Sequence, residues 1–123
     1  MTNIPKISES EWEVMKVIWN KNPCSANEII KQLEDSTSWK PKTVKSLISR
    51  LLKKNVIGFN EDGRTYYYYP LFDEKECVRQ ESSSFIKRVY NGAAKNMLLN
   101  FIEDNKLTEE DLDDLRKILD DRN

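Results

Sequence analysis

Residues 39–70 read WKPKTVKSLISRLLKKNVIGFNEDGRTYYYYP, and this stretch decides the fold. Pro41 suits the first turn of a helix, where a missing N–H leaves no bond unmade. Val44, Leu47, Ile48, Leu51 and Leu52 then recur at the spacing of one buried helical face. Lys42, Lys45, Ser46, Ser49 and Lys53 fall on the opposite face, with Thr43 and Arg50 flanking that stripe. The helix therefore has an apolar back and a cationic, hydroxylated front. It leads into VIGFN (56–60) and RTYYYYP (64–70), with Glu61, Asp62 and Gly63 between them. Asp-Gly between two such runs signals a short hairpin, because both residues tolerate positive φ. Consecutive tyrosines alternate faces on a strand, so two are expected to pack on the helices and two to lie at the surface. Pro70 should stop the ladder.

Two helices precede this unit. In SESEWEVMKVIWN (8–20), Ser8 and Glu11 form a capping-box pattern, and Ile7 is placed to staple against Trp12. Trp12, Met15, Ile18 and Trp19 share one face. In SANEIIKQLE (25–34) the pattern repeats with Ser25 and Glu28, and Cys24 faces Ile29 across the cap. Ala26, Ile29, Ile30 and Leu33 make its buried stripe. Helix, helix, helix and hairpin over residues 1–72 predict a winged helix-turn-helix. The chain as a whole reads as mainly α.

Residues 73–123 read as a three-helix region. Asp73 and Glu76 start a run to about Tyr90 that sets Val78, Phe85, Ile86 and Val89 along one side. Asn91-Gly92 breaks it. AAKNMLLNFIEDN (93–105) follows, and Met97, Leu98, Leu99, Phe101 and Ile102 nearly encircle it. A helix apolar on most sides must be covered on most sides. Thr108 caps the last helix with Asp111, and Leu112, Leu115, Ile118 and Leu119 follow at helical spacing. The cover is expected from a second copy of the chain. Phe85, Ile86, Val89, Met97, Leu98, Phe101, Ile102, Leu112, Leu115, Ile118 and Leu119 are the expected dimerisation residues.

Charge divides along the same line. Residues 1–72 hold 11 Lys/Arg against 8 Asp/Glu, and residues 73–123 hold 9 against 13. A basic front and an acidic back point to different partners. On the third helix, Lys42, Lys45 and Arg50 are placed to meet phosphates or guanine edges. Thr43, Ser46 and Ser49 are short enough for close backbone approach. Lys53, Lys54 and Arg64, just past the wing turn, suit phosphates, as do the free N–H groups opening the second helix near Ser25. The expected ligand is double-stranded DNA. The tyrosine run also has the chemistry of a single-strand stacking surface, but reads better as a strand filling the hinge before residue 73.

Catalysis has little to work with. The chain has no histidine, two isolated cysteines and three glycines, so it offers no acid–base imidazole and no phosphate loop. Acidic neighbours disfavour a Cys77 thiolate. No metal site, cofactor or enzymatic activity is expected. No basic leader with an apolar run opens the chain, and no stretch approaches ~18 apolar residues. The expectation is a cytoplasmic protein without membrane insertion.

ISESEWEVMKVIW (7–19), SANEII (25–30), WKPKTVKSLISRLLKK (39–54), FIKRVYNG (85–92), LLNFIEDNKL (98–107) and DLDDLRKIL (111–119) together resemble the penicillinase-repressor family. These are the beta-lactamase and methicillin-resistance repressors of Gram-positive bacteria. The resemblance implies a homodimer on inverted-repeat operators of TACA/TGTA type, repressing genes for a beta-lactamase, a resistant penicillin-binding protein or the sensor–repressor operon. It further implies release by proteolysis at the Asn100–Phe101 bond, triggered by a membrane-bound beta-lactam sensor with a cytoplasmic metalloprotease domain. The family's reading helix falls on residues 42–54 and its wing position on Arg64. Lys40 departs from the serine or aspartate usual before the helical proline, so capping from elsewhere, such as Ser38, or a weaker helix start is expected. The copper-responsive branch of the superfamily is similar in the winged region, but this chain ends RKILDDRN without soft-metal ligands. The other alternative is a winged-helix module that binds a protein through its acidic half.

Overall fold

The computed structural model describes residues 3–122. The order is α1 (Glu9–Asn20), β1 (Cys24–Ser25), α2 (Ala26–Glu34), α3 (Pro41–Lys53), β2 (Ile57–Asp62), β3 (Thr65–Pro70), α4 (Glu74–Tyr90), α5 (Ala94–Glu103) and α6 (Glu109–Asp121). These fall into two compact units, one ending at Arg79 and the other starting at Gln80.

In the first unit the helix starts expected from the sequence are closed. Ser8 Oγ accepts from the Glu11 N–H at 3.2 Å while the Glu11 carboxylate accepts from the Ser8 N–H at 2.8 Å. Ser25 and Glu28 do the same at 3.2 and 3.0 Å. α3 differs: Lys40 occupies its N-cap without a side-chain hydrogen bond, and Ser38 does not replace it. The helix opens on Pro41 and on backbone bonds from the Thr43 and Val44 N–H groups to the Lys40 carbonyl.

The three helices close on one core. Val14, Met15, Ile18, Ile29, Leu33, Val44, Leu47, Ile48, Leu51, Val56 and Ile57 are all buried. On α1 the buried arc includes Val14, which the expected face omitted, while Trp12 and Trp19 are only half-buried. The arc is wide because α1 packs against α2, α3 and β3 at once. Cys24 and Cys77 complete the core, and burial first, then nearby carboxylates, push both thiols up to about 11.

The sheet has three strands where two were expected, in the order β1-β3-β2. β1 pairs Cys24 with Tyr68 and Ser25 with Tyr67. A two-residue strand has no period to read, and its residues also serve as the staple and cap of α2. The tyrosine run is therefore the central strand rather than a filler of the hinge. Tyr68 is buried, Tyr67 and Tyr69 are half-buried, and Tyr66 is exposed, its ring tilted against that of Phe59 with centroids 4.7 Å apart. The β2–β3 register runs from Ile57↔Pro70 to Asp62↔Thr65. This leaves Gly63 and Arg64 as the connecting pair, with Gly63 at φ +66°. The turn thus lies one residue later than Asp62-Gly63, with glycine at its first central position as a type II′ turn requires.

Glu11 is the one buried charged residue among those described. Burial opposes its ionised form, yet hydrogen bonds from the Lys54 ammonium and from Ser8, with the lysine's charge, hold its carboxyl below the ordinary glutamate range. A folded-state pKa below the unfolded one contributes stability above the unfolded value of ~4.3. That contribution is lost as pH falls from there through the folded value. Wild type should therefore lose stability more steeply than Glu11→Gln over this acid range. Chemical denaturation at pH 7, 5, 4 and 3 tests this; parallel curves would remove Glu11 from the acid response.

The second unit is built differently. α6 has a closed box between Thr108 and Asp111 with both bonds at 3.0 Å. α5 starts at Ala93 without a side-chain cap, and lies between the positive-φ residues Asn91 and Gly92 before it and Asn105 after it. Among the described residues none after Cys77 is buried. This is a helical unit without an interior of its own.

Candidate nucleic-acid interface

α3 presents the surface that the sequence pattern outlined. Val44, Leu47, Ile48 and Leu51 are buried beneath it, and Lys42, Thr43, Lys45, Ser46, Ser49, Arg50 and Lys53 are all exposed. Its sequence contains Lys42, Lys45, Arg50 and Lys53 and no acidic residue. Four positive charges on one short helix, with a low-dielectric core behind them, form a local cationic field whatever the net charge of the chain. Ion pairs neutralise cations elsewhere: Lys16 pairs with Glu13, Lys21 with Glu28, Lys54 with Glu11 and Arg116 with Asp113. Among the described residues, Lys42, Lys45, Arg50, Lys53 and Arg64 form no such pair.

The hydroxyls are not equivalent. Ser46 Oγ donates to the Lys42 carbonyl at 3.1 Å, so its proton is used within the helix and its lone pairs face outward. Thr43 and Ser49 are exposed on the same helix. Arg64 stands at the wing tip itself, exposed beside Gly63.

Two other expected phosphate donors are already occupied. Lys54 Nζ lies 2.5 Å from Glu11 Oε1 and 3.0 Å from the Lys6 carbonyl oxygen. The start of α2 is closed by Ser25 and carries the Glu28 carboxylate, whose pKa is lowered chiefly by its bond from the Ser25 N–H. An anion arriving there would meet a fixed negative charge. For the start of α2 the signal was present in the sequence, since a capping-box glutamate is a carboxylate in the first helical turn; for Lys54 it was not, because its partner lies 43 residues away.

The expected dimerisation residues lie on three helices. Phe85, Ile86 and Val89 are on α4, Met97, Leu98, Phe101 and Ile102 on α5, and Leu112, Leu115, Ile118 and Leu119 on α6. Ile86, Met97, Leu112 and Leu115 are half-buried, while the others are exposed, with Phe101 at 38%, Ile118 at 57% and Leu119 at 61%. Asn100 and Phe101 sit mid-helix in α5, and Asn100 Nδ2 donates to Tyr90 Oη at 3.3 Å. Among the described residues no cluster of side chains could hold a metal ion, and no helix is long and apolar enough to cross a membrane.

The model of the penicillinase repressor family matches residues 7–121. The penicillinase repressor of Bacillus licheniformis is 41% identical over 119 residues, spanning 97% of this chain and 93% of that protein. The methicillin resistance regulatory protein MecI of Staphylococcus aureus is 40% identical over 114 residues, covering 93% of each. A solution structure of the B. licheniformis BlaI monomeric form in complex with the blaP half-operator is similar over 62% of this chain and 93% of that one, with 42% identity and a TM-score of 0.55.

Proposed function

The chain belongs to the penicillinase-repressor family, and from that premise we propose that it is a cytoplasmic homodimeric repressor of beta-lactam resistance genes. It regulates transcription by binding operator DNA and is not an enzyme. The observation that carries the reading is the unpaired cationic face of α3 above a closed core. Lys45 on that face and Arg50 beside it are assigned to base edges, with Thr43, Ser46 and Ser49 allowing close approach. Lys42 at the helix start, Lys53 near its end and Arg64 at the wing tip are assigned to phosphates. Two such units on a two-fold axis match an inverted repeat. The second unit supplies that axis, because its exposed apolar residues have no cover among the described residues and a second copy offers the same surface in return. On this reading residues 1–72 read DNA and residues 73–123 pair the subunits.

Titration of a duplex carrying a TACA/TGTA inverted repeat against a scrambled duplex, at several salt concentrations, tests this directly. Selective binding by two chains per repeat is expected. Lys53→Met or Arg64→Met should weaken both duplexes alike and flatten the dependence of log K on log salt by about one unit each. Equal affinity of the wild type for the two duplexes would defeat the repressor reading. Unaltered slopes would defeat the phosphate assignments.

Inactivation is assigned to cleavage at Asn100–Phe101 by a membrane-bound beta-lactam sensor carrying a cytoplasmic metalloprotease domain. A helical bond must unwind before a protease can seat it. α5 suits this, because a ten-residue helix without a side-chain cap is marginal alone. Covered in the dimer it is protected; opened, it exposes the bond. Free repressor should therefore be cut faster than operator-bound repressor, and equal rates would count against protection by assembly.

A further inference from the structure

The two adjacent lysines that end the reading helix have separated roles. Lys53 is exposed, whereas Lys54, the C-cap of α3, turns back into the domain. Its ammonium bonds the Glu11 carboxylate and the Lys6 carbonyl, so one cation ties together the end of α3, the start of α1 and the segment before it. The same Glu11 carboxylate closes the α1 cap through the Ser8 N–H. Its side chain is only 1% exposed, and Oε2 has no hydrogen-bond partner among the described residues. A buried carboxylate with one free oxygen depends heavily on its single cation, which holds that cation in place. Directly after Lys54 the chain turns through Asn55 at φ +60°, and the Val56 N–H bonds the Leu51 carbonyl. The far end of α3 has no side-chain cap at all. α3 is therefore fixed by polar bonds at its C-terminal end and held by apolar packing along its back.

We propose that Glu11 and Lys54 form a positioning pair that sets the pose of the reading helix, and so governs operator selectivity without touching DNA. This rests on the repressor reading above. Base contacts demand a fixed helix pose, whereas phosphate attraction tolerates small displacements. Loosening the anchor should therefore remove selectivity and leave the electrostatic part of binding unchanged. That signature differs from loss of a phosphate contact, which weakens every duplex and flattens the salt dependence.

The test uses the full-length protein and the same two duplexes. Glu11→Gln/Lys54→Met keeps an acceptor for the Ser8 N–H and leaves no charge buried. Glu11→Asp keeps the charge on an arm one carbon shorter, and α6 shows that an aspartate at this position can close the box. Circular dichroism at the titration temperature establishes that each variant is folded. The double variant should lose about tenfold in the operator-to-scrambled ratio, the size of an ordinary coupling within one network, and Glu11→Asp about threefold. The scrambled-duplex affinity and both salt slopes should stay at wild-type values. A slope reduced by about one unit, as for Lys53→Met, would make Lys54 a phosphate contact and overturn the proposal. An unchanged ratio in the folded variants would make the pair a matter of stability alone and overturn it equally. A wild type without selectivity would refute the repressor reading itself and the proposal with it.

Discussion

Lys45→Glu/Arg50→Glu is expected to abolish operator selection while leaving the fold intact. Both residues are exposed on the outer face of α3, and neither takes part in an ion pair whose loss would disturb the core. Loss of a base contact costs about 1–3 kcal/mol. Two such losses amount to roughly a hundredfold or more in affinity, since about 1.4 kcal/mol is tenfold. The introduced carboxylates then repel the phosphates flanking the groove, which adds to the loss and weakens the scrambled duplex as well. Thermal unfolding should stay close to wild type, because exposed substitutions of this kind shift stability by about 0.5 kcal/mol or less. Fluorescence titration and a melting curve on one preparation provide both readouts. Operator affinity within a few-fold of wild type would transfer the function to a protein partner met through the acidic half.

Phe101→Ala should separate the subunits. Phe101 is 38% exposed in the single chain and lies beside Leu98 and Ile102, both exposed on α5. Covered by a partner, such an aromatic becomes an interface anchor, and truncating an anchor costs about 2 kcal/mol or more. The effect on DNA is larger than the effect on the dimer. Two linked reading units hold a full operator with an effective-concentration advantage of about 10²–10⁴, and a monomer forfeits it. Affinity for the full operator should fall by roughly a hundredfold, while affinity for a half-operator stays at the wild-type value. Sedimentation at micromolar concentration should show a monomer. A dimer of unchanged stability would take Phe101 out of the interface, and equal losses on full and half sites would show that the reading unit had been damaged.

Much of this is legible in the sequence. Ser8/Glu11, Ser25/Glu28 and Thr108/Asp111 announce helix starts because capping is a local bond between residues three apart. The two faces of α3 are a matter of period. What escaped depends on partners distant in sequence. β1 forms only because β3 runs beside it, and a two-residue strand carries no pattern. The turn moved from Asp62-Gly63 to Gly63-Arg64 because register is set by pairing along the whole ladder, from Ile57↔Pro70 onward. Lys54 reads like Lys53 in the sequence, and only the fold reveals a buried carboxylate beneath one of them. The exposed residues of α4, α5 and α6 were readable as apolar, and the single chain leaves them exposed.

Among the described residues none beyond Cys77 is buried, and on the proposed pairing this has a consequence for the living cell. A unit that gains its apolar cover only by pairing has a stability tied to how many copies share the same volume. Each division that dilutes the protein faster than it is made lowers the paired fraction, and with it the average persistence of the chains. Below some copy number the population should thin out faster than dilution alone, because a chain without its cover opens more often and opened chains are what proteases cut. Repression held in this way should be graded by abundance and should lapse sooner than dilution alone once synthesis stops.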